Sequence, residues 1–258
     1  MTDTSTHTKL AAYYMKKGIH PEKFDCQHKN FCRKYAFKGN MTEAKMSMVG
    51  SQYGSSYPKL CVVSLDPPSG ATGEFAEPYK RTTEYMAKHE DRNYTIKRTG
   101  PHWSMTLIII KDILCQFGYK SQRGSAVVEE SYAGRPIENV EPYFAHVNIA
   151  KCSMNNPGKK KANRAVHERC SSSYLLGELR ILKPDVLLTQ GDLTNEIMGI
   201  LLMNRPFLKN ELPSAFDTTI EKQSVLWLPM PHPSYGGIST LRKYWTFYVH
   251  AIQDWKNL

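Results

Sequence analysis

Three polar residues of different chemistry stand where apolar segments of the chain end: Asp66, Asn148 and His232. A carboxylate can stabilise a sugar with oxocarbenium character and can orient or activate water. An amide presents one donor and one acceptor to the edge of a base. An imidazole can hydrogen-bond negative charge that gathers on a departing pyrimidine oxygen. Together the three suit cleavage of a glycosidic bond, provided one cleft collects them.

The segments that must do the collecting read as β-strands. Lys59-Leu-Cys-Val-Val-Ser-Leu is apolar and rich in β-branched residues, and it stops at Asp66-Pro67-Pro68. Proline cannot donate to a sheet ladder, so the strand ends there and a carboxylate follows. Residues 143–150 read as a second strand with Asn148 near its end, 186–189 as a third, and 224–229 as a fourth that runs into Pro231-His232-Pro233. Helical spacing predicts helices over 9–17, 76–90, 103–118, 163–182, from Gly191 to about 202, and over about 239–256. For the helix at 103–118, Ser104 or Thr106 is the expected cap and Gly118 the expected stop. Residues 40–57 and 119–142 read as irregular. Strands alternating with long helices predict an α/β fold: a three-layer αβα sandwich around a central, mostly parallel four-stranded sheet. In such sheets the C-terminal strand ends share one edge, which is where ligands bind.

The chain has 258 residues, 41% hydrophobic, enough for one sizeable domain over 1–258. No run approaches the roughly 18 apolar residues needed to span a bilayer; Leu107-Ile-Ile-Ile110 is cut by Lys111 and Asp112. The polar N-terminus lacks the apolar stretch of a signal peptide, so the expected location is the cytoplasm, with no membrane partner. A net charge of +10 and a pI near 9.2 favour a polyanionic partner, nucleic acid above all. The charge clusters in Lys159-Lys160-Lys161 and Arg164, with Lys151, Arg242 and Lys243 as further phosphate contacts. Six cysteines in a cytosolic chain are better read as ligands or core thiols than as disulfides. Cys26 and Cys32 have His28, Lys29, Arg33 and Lys34 around them, and positive neighbours are expected to lower thiol pKa values.

At this point the motifs resemble those of the uracil-DNA glycosylase superfamily. Leu65-Asp66-Pro67-Pro68 resembles its first motif, which reads G-Q-D-P-Y-H in the uracil-excising form. His232-Pro233-Ser234 resembles its late H-P-S motif. Asn148-Ile-Ala-Lys-Cys152, followed after 17 residues by Cys170, resembles the N-V-V-K-C segment of the iron–sulfur branch. Lys183-Pro-Asp-Val-Leu-Leu-Thr-Gln-Gly191 is similar to a further family segment. The likeness runs over roughly 24–240. Three departures stand out. The first cysteine pair has five intervening residues where that branch usually has C-x-x-C. Asp66 stands where that branch tends to have G-E-A-P-G. Pro68 replaces the tyrosine that walls off a 5-methyl group.

The resemblance implies a monofunctional DNA glycosylase acting as a monomer on uracil or a related, 5-modified pyrimidine in single- or double-stranded DNA. Asp66 and His232 would be catalytic. Asn148, Phe75, Pro68 and Ser234 would line the base pocket. Lys159, Lys160, Lys161, Arg164, Tyr235, Arg242 and Lys243 would meet the DNA, with Tyr235, Ile238 or Leu241 as the wedge. Cys26, Cys32, Cys152 and Cys170 would hold a [4Fe–4S] cluster, with zinc as the alternative metal. Cys61 and Cys115 are left as core thiols. Two other readings stay open: a non-catalytic iron–sulfur DNA-binding module with the same fold, and a zinc-stabilised hydrolase of small nucleotides.

Overall fold

A computed structural model describes residues 4–20, 23–39, 41, 47–65, 101–120, 131–132, 135–136, 138, 140–154, 162–233 and 237–257. It is a mixed α/β structure with one six-stranded sheet. The strands of this sheet are β1 (Met48–Val49), β2 (Leu60–Ser64), β3 (Phe144–Asn148), β4 (Val186–Gln190), β5 (Phe216–Ile220) and β6 (Gln223–Met230). Two short antiparallel ladders, Ile19–His20 with Lys23–Phe24 and Ser131–Tyr132 with Arg135–Pro136, stand apart from it, the second within a stretch expected to be irregular. Their order is β1-β3-β2-β4-β6-β5. The four strands expected from the sequence form the parallel centre, and an antiparallel strand closes each edge. The sheet therefore has six strands rather than four.

The two additional strands escaped the sequence reading for physical reasons. β1 is two residues long. β5 is polar and half in water, alternating Phe216, Asp217, Thr218, Thr219, Ile220, and its hairpin to β6 turns on Glu221 (φ 50°) and Lys222 (φ 75°). Hairpin turns of this kind are usually signalled by Asn-Gly or Asp-Gly. Neither is present here.

Helices cover both faces. They are α1 (Thr4–Lys16), α2 (Lys29–Arg33), α3 (Pro101–Gln116), α4 (Arg164–Cys170), α5 (Leu176–Leu182), α6 (Asp192–Met203) and α7 (Gly237–Lys256), with a single π turn, Ser171–Leu175, joining α4 to α5. The period-2 alternation of each strand assigns its side chains to one face or the other. Cys61, Val63, Ala145, Val147, Leu187, Val225 and Trp227 pack with α1, α4, α5 and α6. Leu60, Val62, Phe144, Val186, Leu188, Leu226, Leu228 and Met230 pack with α3 and α7. Buried on both faces, the central strands read as continuous apolar runs, as parallel strands do.

Helix α3 starts at Pro101, a residue favoured in the first turn because its missing N–H loses nothing there. Thr106 therefore lies inside the helix and is not its cap. Its hydroxyl pairs with the Gln190 side chain at the end of β4 (3.1 and 3.2 Å). Gly118, at φ 91°, follows the helix as expected of a stop. Among the described residues no helix is long and apolar enough to cross a membrane.

Candidate functional site

The C-terminal ends of β2, β3, β4 and β6 lie along one edge. Ser64 is opposite Asn148, Val63 opposite Thr189, and Met230 opposite Gln190. The chain leaving β2 returns as β3 on one side, whereas the chain leaving β4 returns as β6 on the other. The crevice at such a reversal is the usual ligand site of an open α/β sheet. At about 4.8 Å per strand, the ends of β2 and β6 are roughly 10 Å apart and those of β3 and β6 roughly 14 Å. That span suits one planar heterocycle.

Asn148 occupies the last position of β3, on the face turned toward α3. Its Oδ1 is shut off from solvent and has no hydrogen-bond partner among the described residues. Leaving such an acceptor unmatched costs about 1–3 kcal/mol. An acceptor so placed at a strand end could take a hydrogen bond from a ligand donor. His146, two residues earlier on the same face, shares a hydrogen bond with Ser64 (Nε2···Oγ 2.9 Å). The sequence reading did not single out His146 or Ser64, although a period of two from Asn148 points to His146. Beyond β3, Ile149 N donates to Ser64 O (2.8 Å) and Ala150 N to Leu65 O (3.0 Å). These bonds fasten the end of β2, after which the sequence continues to Asp66.

His232 follows β6 and packs on Gly191. A Cβ on Gly191 would meet His232 Cδ2 at 3.4 Å, and the backbone at Gly191 has φ 99°. Glycine is thus favoured at 191 by its backbone conformation; a methyl group there would make only ordinary contact with the ring. The strand end before His232 is braced: Met230 O accepts from Gly191 N (2.9 Å) and Asn195 Nδ2 (3.0 Å). Thr189 Oγ1 donates to Asn195 Oδ1 (2.6 Å) and accepts from Trp227 Nε1 (2.9 Å).

Lys151 corrects an expectation. It is not a surface phosphate contact. It lies 2% exposed, ion-paired with Glu178, which is fully buried, and it also donates to the Asn148 carbonyl (2.5 Å). Glu178 further accepts hydrogen bonds from the hydroxyls of Tyr14 and Ser47. This network ties α1 and α5 to the turn that carries Asn148. Sequence reasoning missed Glu178 entirely, because one acid in Leu176-Gly-Glu-Leu-Arg reads as an ordinary solvated helix position.

Arg164 is exposed, but it is held by Glu168 (2.8 Å) and Glu196 (2.5 Å), so a phosphate would have to compete with two carboxylates. Lys243 is exposed near the Tyr244 ring. Arg242 belongs to α7, as do Ile238 and Leu241, and their side chains are outside the described set. Asp66, Pro68, Phe75, Lys159, Lys160, Lys161, Ser234, Tyr235 and the helix expected over 76–90 also lie outside the described residues.

The four cysteines singled out by motif, Cys26, Cys32, Cys152 and Cys170, are all buried, free of disulfides and in the same apolar cluster. Cys26, Cys32 and Cys170 are close enough for each to sense the others' charge. Phe37 N donates to Met154 O (2.9 Å), fastening the segment after Cys32 to the segment after Cys152. The expected lowering of thiol pKa by basic neighbours is overturned at Cys32. Burial, then Cys170 and Cys26, push it up to about 12. Burial likewise pushes Cys170 up to about 11, against a hydrogen bond from the Lys151 backbone. Among the described residues no three His, Cys, Asp or Glu side chains converge as they would around one cation. Tyr174, on the π turn, sets its hydroxyl 3.1 Å from Cys26 Sγ. Of the two remaining cysteines, Cys61 is buried within β2 and Cys115 packs against the α3 cluster.

Compared with models of known families and with curated proteins, the chain matches none.

Proposed function

We propose that the protein is a monofunctional DNA glycosylase that hydrolyses the N-glycosidic bond of uracil or a related 5-modified pyrimidine. The observation that carries this reading is the Asn148 amide, whose Oδ1 is shut off from solvent and unmatched among the described residues, at the same sheet edge from which β2 leads to Asp66 and β6 leads to His232. The motif resemblance assigns the same three residues.

In this mechanism the target nucleotide leaves the stack, at a cost of a few kcal/mol, and enters the crevice. Asn148 pairs with the base edge and Phe75 stacks on its face. Asp66 orients a water and stabilises the positive charge on the sugar. The bond from C1′ to the base nitrogen breaks with its electron pair on the base. His232 hydrogen-bonds the resulting anion at a ring carbonyl oxygen. Water completes C1′, giving an abasic site. Pro68, in place of a tyrosine wall, leaves room beside C5. One missing wall shifts selectivity modestly, whereas the hydrogen-bonded edge discriminates strongly.

Cys26, Cys32, Cys152 and Cys170 would hold a [4Fe–4S] cluster, which supplies a cross-link between the N-terminal segment and the loop after Asn148 and takes no part in the bond cleavage. Four buried thiols in one apolar cluster support a site for four thiolate ligands, the complement of such a cluster and equally of a zinc ion.

The test is abasic-site formation by purified protein on oligonucleotides carrying uracil, thymine mismatches and 5-substituted cytosines, with Asp66→Asn as control. Release from uracil by the unaltered protein, with Asp66→Asn inactive yet binding DNA, supports the proposal. DNA binding without release of any base would put the binding-module reading first.

A further inference from the structure

A second surface lies on α2 and the turn after it. From Gln27 to Gly39 the chain carries Lys29, Arg33, Lys34 and Lys38 and no acidic residue, with Phe31, Tyr35 and Phe37 interleaved among the cations. Tyr35 and Phe37 are 37% and 43% exposed; among the described residues Phe247, on α7, is the other exposed large aromatic. The rings of Phe31 and Tyr35 lie 5.0 Å apart. The guanidinium of Arg169, from α4, caps Phe31 at 3.8 Å, and Lys38 Nζ sits 5.4 Å from the Phe37 centroid.

The surface is rigidly backed. Cys32 and Ala36 point into the core, and Phe37 N is fastened to Met154 O, six residues beyond Asn148. Lys38 adopts φ 51°, a left-handed conformation that costs a non-glycine residue energy and recurs where the chain has a job to do. The neighbouring acids are occupied: Asp25 pairs with Lys29 and Glu168 with Arg164. Arg33 and Lys34 carry no ion pair among the described residues, so the patch keeps its positive charge.

We infer that this surface binds single-stranded DNA, stacking unpaired bases on Tyr35 and Phe37 while Arg33, Lys34 and Lys38 meet the phosphates. Every base has a π-face, so such contacts are tolerant of sequence; a duplex hides those faces and offers only its phosphates. Cations alternating with rings along the chain fit a strand better than they fit a protein partner, whose interface would gather its apolar residues at the centre and its charges at the rim. The inference goes beyond the glycosylase reading and rests on it only for choosing DNA over RNA.

The experiment is fluorescence anisotropy of the full-length protein with a labelled oligothymidylate and with a duplex of equal length, over a range of salt. Tyr35→Ala/Phe37→Ala should weaken single-strand binding about tenfold or more, with the salt slope retained and duplex binding within about twofold. Arg33→Ala/Lys34→Ala should flatten the single-strand salt slope by about 1.4. All four side chains are exposed, so the melting temperature should not move, and a circular dichroism melt verifies this. Single-strand affinity unchanged in the aromatic double variant overturns the inference and leaves the rings to a protein partner. Equal losses on single strand and duplex overturn it in favour of a general electrostatic face. Base release is scored separately on the same preparations: release with unaltered strand binding in the variants sinks only this surface, and ring-dependent strand binding without release sinks only the glycosylase reading.

Discussion

Lys151 and Glu178 form an ion pair out of reach of solvent, and the same ammonium holds the carbonyl of Asn148. Removing one member of such a pair strands the other charge in the core, which typically costs about 3–5 kcal/mol, a large part of the roughly 5–15 kcal/mol that a domain possesses in total. Lys151→Met and Glu178→Gln are each expected to lower stability by about that amount in chemical denaturation. The double variant Lys151→Met/Glu178→Gln should recover a large part of the loss, because neither charge then remains. A double variant as unstable as the sum of the singles would show that the two residues act independently.

Asn148 sets up a trade between stability and activity. Its buried acceptor has no hydrogen-bond partner among the described residues, so Asn148→Leu forfeits none there. The variant should be as stable as the parent or more so, by up to about 1 kcal/mol. Base release should fall by about a hundredfold or more. Parallel melting and abasic-site assays separate this from a scaffold role, for which stability and release would fall together.

Gly191→Ala places a side chain at a backbone angle that L-residues avoid (φ 99°). It should destabilise the protein by about 1–3 kcal/mol, read as a lower denaturant midpoint with an unchanged slope. Alanine at the neighbouring exposed Asp192 should have little effect, which makes it a suitable control.

Several tyrosines are held neutral. Burial, then Glu178, raises Tyr14 well above its ordinary value; Tyr13 goes up to about 12 for the same reasons; and burial raises Tyr53 and Tyr248. For a group whose folded pKa is raised, the folded state binds the proton more tightly. The associated stability is intact below the unfolded tyrosine pKa of about 10 and is lost as pH climbs past it. Alkaline titration should therefore show tyrosinate absorbance arriving in a cooperative step together with loss of helical dichroism. Ionisation of all the tyrosines near pH 10 while the fold persists would contradict this.

Much of the frame was legible because strands buried on both faces leave unmistakable apolar runs. The segments ending before Asp66, at Asn148 and before His232 are of that kind, and they form the parallel centre of the sheet. The polar strand Phe216–Ile220 was not legible, since half of it faces water and its turn uses Glu221 and Lys222 in conformations usually given to glycine or asparagine. Thr106 was mistaken for a cap because a hydroxyl near the start of a helix looks the same in sequence whether it faces solvent or Gln190. Lys151 was misjudged for a related reason: a lysine between apolar residues and a basic loop looks solvated, and its partner lies 27 residues away on another helix. Of the candidate site, Asn148 and His232 were legible as polar residue types at strand ends. The support under it, His146, Ser64, Thr189, Asn195 and Glu178, was not, because those roles come from contacts distant in sequence.

The π turn after Cys170 has one more implication. It inserts an extra residue into what would otherwise be a single straight helix from Arg164 to Leu182, and each α-helical residue turns the chain by about 100°. Without that insertion, α4 and α5 would be out of phase by the same angle. Glu178 could not then face Lys151 while Cys170 faced Cys26, so one widened turn lets a single helix serve both the polar network and the thiol group.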